Sequence, residues 1–374
     1  MKRILIFSTA YFPFVGGAEV AIKEITNRIG GDIEFDLITT RLDGNLKKVE
    51  KVGAINVYRI GIGLPIMDKL LVPFRGAILA AKLNKKNKYD FFWPVMASFA
   101  SGAPYIVNIA RQLLGKNKVP IVLTLQEGDS ERRLKYRWLG LIDLSWKLAL
   151  QRTDILTAIS QYLLNRSRNF GYKGRAELIP NGVDIKKFES GQHSVLTKDK
   201  VVIVTTSRLV EKNAVGDIIE SLKYLPENVE LNIIGIGPLE SELKLKVKSL
   251  QLEARVKFLG LIKHEDIPDY LHVSDIFIRP SLSEGMGNSF IEAMATGIPV
   301  IATPVGGIVD FLNDGETGLF CKVKDPASIA EQVKRLMGNK DLREKIVTSA
   351  RKMVSEKYDW NLIAQNMKER VFNT

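Results

Sequence analysis

One cysteine, Cys321, stands in 374 residues. No intramolecular disulfide is available, and a reducing compartment suits the chain. Histidine is nearly as scarce. His193, His264 and His272 are the full set, and none lies in the first half, so a histidine base from that half is excluded. No His, Cys, Asp and Glu cluster has the spacing of a metal site. A Walker loop, a GxGxxG fingerprint and a zinc-peptidase helix motif are all missing. No apolar run reaches the ~18 residues that a membrane span requires. The start Met1-Lys-Arg-Ile-Leu-Ile-Phe-Ser is too short in its apolar part for a signal peptide and reads as a first buried strand.

What is present is an ordinary globular composition, 45% hydrophobic and 26% charged. That is enough to bury cores and too apolar for disorder, and the length predicts about two domains. The net charge of +12 is unevenly placed: residues 1–190 carry 30 Lys and Arg against 17 Asp and Glu, whereas residues 191–374 carry 24 against 25. Two readings of the basic first half stay open, a solvated surface and attraction to an anionic partner. No nucleic-acid motif accompanies the charge, so a membrane or an anionic substrate ranks ahead of DNA or RNA.

Apolar runs alternate with helical periodicity. Strands are predicted at Arg3–Ser8, Asp36–Thr39, Asn56–Ile60, Phe91–Pro94, Ile121–Leu125, Ile155–Ala158 and Glu177–Ile179 in the first half. The second half predicts Val201–Thr206, Glu230–Ile234, Val256–Leu259, Asp275–Ile278 and Val300–Ala302. Helical patterns such as Ala18–Gly30, Ala214–Tyr224, Glu240–Leu250 and Ser328–Met337 separate most of them. This alternation is that of an α/β chain with parallel sheets and right-handed crossovers. The polar segment Phe188–Lys200 reads as a linker, after which Val201–Thr206 looks like a fresh first strand. Two doubly wound domains are thus expected in tandem, facing across a cleft, with ligands outside the carboxyl ends of the strands.

The richest stretch runs from Pro280 to Pro299. Glu284 follows an apolar run and precedes Gly285, Met286, Gly287 and Asn288; Glu292 stands eight residues later. Strand, glycine turn and helix start let backbone N–H groups meet a phosphate, and the carboxylates add acceptors for sugar hydroxyls. Ser289-Phe-Ile-Glu292 also matches a capping box. Arg208 and Lys212 lie just after Val201–Thr206 and can converge on one anion, as a diphosphate leaving group demands. Gly16-Gly17 follows the first strand and Gly235-Ile-Gly237 a strand of the second half. The first pair suits a phosphate at a helix start, and the second either lines a nucleoside pocket or turns the chain. Pro180-Asn-Gly-Val-Asp184 reads as a turn at the interdomain crossing. Gln126 and Glu127 end the strand Ile121–Leu125, where a catalytic group can stand.

Together these residues resemble the retaining glycosyltransferases of family 4, of GT-B fold. The likeness covers nearly the whole chain and is strongest from Pro280 to Gly318, with support from Pro13 to Glu19, Ile179 to Asp184 and Ser207-Arg208-Leu209. The resemblance implies two Rossmann-like domains, 1–190 plus 357–374 and 200–356, with the final helix returning to the first. It implies that Arg208 and Lys212 hold the donor diphosphate, that Glu292 binds the ribose and that Glu284 lies near the transferred sugar. It further implies that Gly285–Asn288 contact sugar and phosphate, and that Gly16-Gly17 lie across the cleft. Many members carry a histidine after the strand matching Ile121–Leu125; here the residues are Gln126-Glu127-Gly-Asp129. Either Glu127 or Asp129 takes a part, or no side-chain base is needed. Many members also have a longer gap between the residues matching Arg208 and Lys212.

The leading expectation is a retaining hexosyltransferase that moves a sugar from a nucleotide-diphosphate sugar to an acceptor hydroxyl, lipid-linked or polysaccharide. Arg208, Lys212 and Glu284 are its catalytic candidates, Gln126 and Glu127 its acceptor-side ones, and neither metal nor cofactor is called for. A non-catalytic sugar-nucleotide-binding protein and a nucleotide-sugar epimerase are the alternatives. The basic stretches Ile66–Lys88 and Arg132–Arg137, the latter with Tyr136 and followed by Trp138, suit an anionic membrane surface or ordinary helices on the first sheet. A cytoplasmic chain, peripheral at the inner face of the membrane, follows from the first of these.

Overall fold

A computed structural model of the chain describes residues 1–128, 141–189 and 200–374, the side chains of 141–145 excepted. Asp129, Arg132–Arg137, Trp138, His193 and linker residues 190–199 lie outside them. The chain divides into two compact units, Met1–Asn181 with Trp360–Thr374, and Gly182–Asp359.

Among the described residues the first unit holds eight strands: β1 (Lys2–Phe7), β2 (Ile33–Thr40), β3 (Val49–Val52), β4 (Ile55–Ile60), β5 (Phe91–Pro94), β6 (Val122–Leu125), β7 (Ile155–Ala158) and β8 (Arg175–Leu178). Their order is β3-β4-β2-β1-β5 and β6-β7-β8, joined by isolated bridges Phe92–Ile121 and Val95–Thr124. Every pairing is parallel except β3 with β4. Ile4, Leu5 and Ile6 are wholly buried, the mark of a strand covered on both faces. Strand β3 escapes the sequence pattern because it is an antiparallel edge with no buried residue, and so carries no apolar run. The helix Gly17–Ile29 packs on Trp360–Met367. At the end of that return, Phe372 packs its ring on Phe35, Phe91 and Trp93, with centroids 6.4, 6.0 and 5.3 Å apart.

The second unit holds β9 (Val201–Thr206), β10 (Val229–Ile234), β11 (Val256–Gly260), β12 (Ile276–Arg279), β13 (Val300–Ala302) and β14 (Leu319–Phe320). All pairings are parallel, in the order β11-β10-β9-β12-β13-β14. Strand order reverses between β9 and β12. Such a switch point opens a crevice at the carboxyl ends of the two strands, where the loops carrying Arg208 and Glu284 begin. Strand β14 has two residues, too few for a sequence signal.

The division falls at Asn181/Gly182 rather than after residue 190. Val183 N–H donates to the Tyr358 carbonyl (2.8 Å), Phe188 is buried, and Lys187 Nζ donates to the His264 carbonyl (3.1 Å). The short helix Ile185–Glu189 therefore belongs to the second unit and takes in Phe188 and Glu189, the first two residues of the segment read as a linker.

Candidate functional site

The loop after β9 is set by backbone contacts with the loop after β10. Leu209 N–H donates to the Ile236 carbonyl (3.0 Å), and Leu239 N–H donates to the Leu209 carbonyl (3.2 Å). Gly235 has φ +130, and a Cβ there would overlap the Ser207 carbonyl oxygen. Side chains are thus excluded on two counts. The role of Gly235 and Gly237 in this structure is to let the β10 loop lie against Ser207 and Leu209, which fixes the base of the Arg208 loop. Arg208 itself is exposed and Lys212 half-buried.

Buried Asn213 ties this loop to the next. Its Nδ2 donates to the Arg208 carbonyl (2.7 Å), while its Oδ1 accepts from Arg279 Nη2 (3.2 Å). Leu282 N–H adds a bond to the Lys212 carbonyl (2.7 Å). Arg279 closes β12 and is the hub of the motif. Its guanidinium pairs with Glu284 Oε2, donates to Ser289 Oγ (3.0 Å) and lies 5.3 Å from the Phe290 ring centre. The other Glu284 oxygen accepts from Gly285 N–H (2.9 Å), and its carbonyl accepts from Gly307 N–H (3.1 Å). Glu284 is thus buried with both carboxylate oxygens engaged inside the protein. Met286 is buried beneath the loop.

The helix Asn288–Thr296 follows. Its N-cap is Gly287, at φ +88 and without a side-chain cap. Ser289 therefore lies inside the first turn, and the capping box suggested by Ser289 and Glu292 is not formed. Glu292, one turn further on, meets His264 Nε2 through Oε1 at 2.8 Å. The structure thus gathers Arg208, Lys212, Glu284, Gly285–Asn288 and Glu292 about the carboxyl ends of β9 and β12. It adds Asn213, Arg279 and His264. Arg279 had a sequence signal, a charge ending an apolar strand; Asn213 and His264 had none.

The candidates in the first unit are placed differently. Gly16 precedes the helix Gly17–Ile29 in extended conformation, and a Cβ on it would come 2.8 Å from Glu19 Oε2. Burial pushes the Glu19 carboxyl up, while the N–H groups of Glu19 and Gly16 hold it back. The helix start read as a phosphate site is thus faced by the chain's own carboxylate. Gln126 Oε1 accepts from Asn181 Nδ2 (3.2 Å), joining the end of β6 to the Pro180–Asp184 turn. Glu127 is buried. One oxygen accepts from Ala97 N–H and the other from Gln126 N–H (3.0 Å). Burial pushes this carboxyl up, against those N–H groups, its own and the charge of Arg166. Glu127, an acceptor-side candidate, thus braces the loops after β5 and β6 with both carboxylate oxygens on backbone N–H groups. Among the described residues, no group of three or more His, Cys, Asp or Glu could hold a metal ion.

Residues 15–187 match the family model described as Glycosyltransferase Family 4, and residues 186–353 the one described as Glycosyl transferases group 1. The chain belongs to family 4 of the glycosyltransferases. This glycosyltransferase is 31% identical over 394 residues to an uncharacterized glycosyltransferase of Methanocaldococcus jannaschii, with 97% of this chain and 96% of that one covered. It is 26% identical over 364 residues to the N-acetyl-alpha-D-glucosaminyl L-malate synthase of Bacillus anthracis, at 93% and 91% coverage. Among solved structures, Anabaena HepE in complex with UDP and glucose shares the fold over the full length of both chains, with a TM-score of 0.77 and 20% identity. These likenesses support the two-unit GT-B fold and a glycosyltransferase, not the binding protein or the epimerase.

Proposed function

We propose that this glycosyltransferase transfers a hexosyl group from a nucleotide-diphosphate sugar, with retention, to a lipid-linked or polysaccharide hydroxyl. The observation that carries the reading is the Asn213–Arg279–Glu284 connection. It fixes the cationic Arg208–Lys212 loop beside the Gly285–Asn288 turn, at the switch point where doubly wound sheets bind ligands. In the reaction the bond from the anomeric carbon to the diphosphate oxygen breaks. The bond to the acceptor oxygen forms on the same face, and the acceptor's proton passes to a phosphate oxygen of the departing nucleoside diphosphate. Arg208 and Lys212 stabilise the charge that grows on this group and do so without a metal. Glu292 takes the ribose. Glu284 acts on the sugar through the loop it anchors. An anionic membrane is the partner of the basic unit, which goes with a cytoplasmic, peripheral location.

Arg208 is exposed, so Arg208→Ala leaves the fold intact and should lower transfer by roughly 10²–10³. Unchanged turnover would reject the assignment. A thermal-shift screen with a panel of nucleotide sugars identifies the donor, and the anomeric coupling in the product's proton spectrum reads retention.

A further inference from the structure

The helix Pro65–Asn87 is apolar on the wrong side. Its buried residues are Asp68, Val72, Gly76, Ala77, Ala80 and Asn84, small apart from the polar pair and Val72. Gly76 passes so close to the helix Gly102–Leu113 that a Cβ would lie 3.0 Å from that of Ala103. The large apolar residues point out. Ile66 is 77% exposed, Phe74 61% and Ile78 60%, with Met67 and Leu70 beside them. Ile66, Leu70, Phe74 and Ile78 recur every four residues and so form one ridge. At the end of the neighbouring helix, Leu113 is 83% exposed and Leu114 is exposed too. An amphipathic helix of a soluble domain buries its large apolar residues; here they face solvent, in a patch of the kind that marks an interaction surface.

The charges around it are mainly of one sign; exposed Asp90, just beyond the helix, accepts from Arg3 N–H. Between Ile62 and Lys88 the only acid is Asp68, which is buried and accepts from the N–H groups of Ile62, Gly63 and Leu64. Phe91–Gln126 contains no acid at all. Arg75, Lys82, Lys85, Lys86, Lys88, Lys116 and Lys118 are exposed. A second copy of the chain would bring two cationic faces together. Among the described residues no helix is long and apolar enough to cross a membrane. A helix with an apolar ridge and lysines along its length is instead suited to lie in the interface plane.

We propose that the ridge Ile66–Leu70–Phe74–Ile78 inserts into the acyl boundary of an anionic bilayer, while the lysines toward the end of the helix meet headgroup phosphates. This gives a docking face to the membrane partner named above and is independent of the transfer chemistry. The test is flotation of the full chain with phosphatidylglycerol or phosphatidylcholine vesicles at low salt, against Phe74→Ser/Ile78→Ser and Lys82→Ala/Lys85→Ala/Lys86→Ala. The wild type should float with the anionic vesicles and weaken with salt. The lysine variant should lose about fivefold per cation removed, and the ridge variant should lose most of its binding with an unaltered melting curve. In Phe74→Trp, brominated acyl chains should quench the new fluorescence. Wild-type binding without loss in the ridge variant, no binding to anionic vesicles, or concentration-dependent dimerisation abolished by the ridge variant would overturn the proposal. Arg208→Ala should bind vesicles as the wild type does, so failure here and failure of the transfer reading are separable.

Discussion

Arg279→Ala is the sharpest test of the second unit's site. The Arg279–Glu284 pair is nearly buried, with side-chain exposures of 11% and 9%. Removing the arginine leaves Glu284 as a buried carboxylate with one remaining N–H partner, that of Gly285. Breaking a buried pair on one side costs about 3–5 kcal/mol. The lost bond to half-buried Ser289 adds little, because water can replace it, whereas buried Asn213 loses the donor to its Oδ1, a further cost of about 1–3 kcal/mol. A loss of that size is a large part of a domain's ~5–15 kcal/mol. The pair itself is worth much less than its rupture, since a buried ion pair replaced by apolar groups of similar size is often neutral. Arg279→Met/Glu284→Met should therefore regain most of the stability while remaining inactive. Urea unfolding followed by far-ultraviolet ellipticity reads both quantities. Among the described residues the tryptophans, Trp93, Trp146 and Trp360, belong to the first unit, so their fluorescence provides a reference. An Arg279→Ala protein as stable as the wild type, or a double variant as unstable as the single one, would refute the electrostatic argument.

Gly235→Ala places a methyl group against the Ser207 carbonyl at a φ that L residues avoid. The Arg208 loop must shift, and a displacement of ~1 Å near the chemistry costs on the order of 10²-fold in rate; steady-state kinetics should show that fall, whereas Ile236→Ala, at an exposed neighbour, should leave the rate unchanged. The Glu127 carboxyl is raised by burial, so the folded protein holds that proton to higher pH than the unfolded chain does. The resulting penalty is absent below the ordinary carboxylate pKa and grows as pH rises through the raised one. Urea midpoints of wild type and Glu127→Gln measured from pH ~4 to ~7 should show the wild type losing ground to the variant as pH rises; a constant difference would mean that Glu127 titrates normally.

Hydrophobic periodicity revealed the strands whose two faces are covered, because burial on both sides forces a continuous apolar run. Val201–Thr206 and Phe91–Pro94 are such cases, and both were read to the residue. Periodicity was blind to β3 and β14, an exposed edge and a two-residue pairing, since neither asks anything of its side chains. The site divides along the same line. Residues fixed by local geometry were visible: the glycines that permit close approach, and the acids and cations at strand ends. Asn213 and His264 were not, because their roles come from tertiary neighbours 66 and 28 positions away. Glu127 shows the converse. Its place at a strand end suggests a part on the acceptor side, and only the structure shows both oxygens taken up by backbone N–H groups.

That closure bears on where the acceptor's proton goes. Among the described residues the first unit has no histidine; Glu127, after β6, accepts from Ala97 and Gln126, while Glu19, in the first turn of the helix Gly17–Ile29, faces the N–H groups at its own helix start. A group that must seize a proton as a bond forms needs an oxygen free to move onto the acceptor, and these two already serve backbone donors. Gln126, in the position where many family members carry histidine, cannot take up a proton near neutrality and is held by Asn181. The donor brings its own oxygens. As the anomeric bond breaks, the departing phosphate gains charge on the face from which the acceptor attacks in a retaining transfer, so its basicity rises as the acceptor's proton becomes acidic. The chain's contribution is then to tune that phosphate. On the proposed reading, Arg208 and Lys212 must stabilise it enough to leave and still leave it basic enough to take the proton.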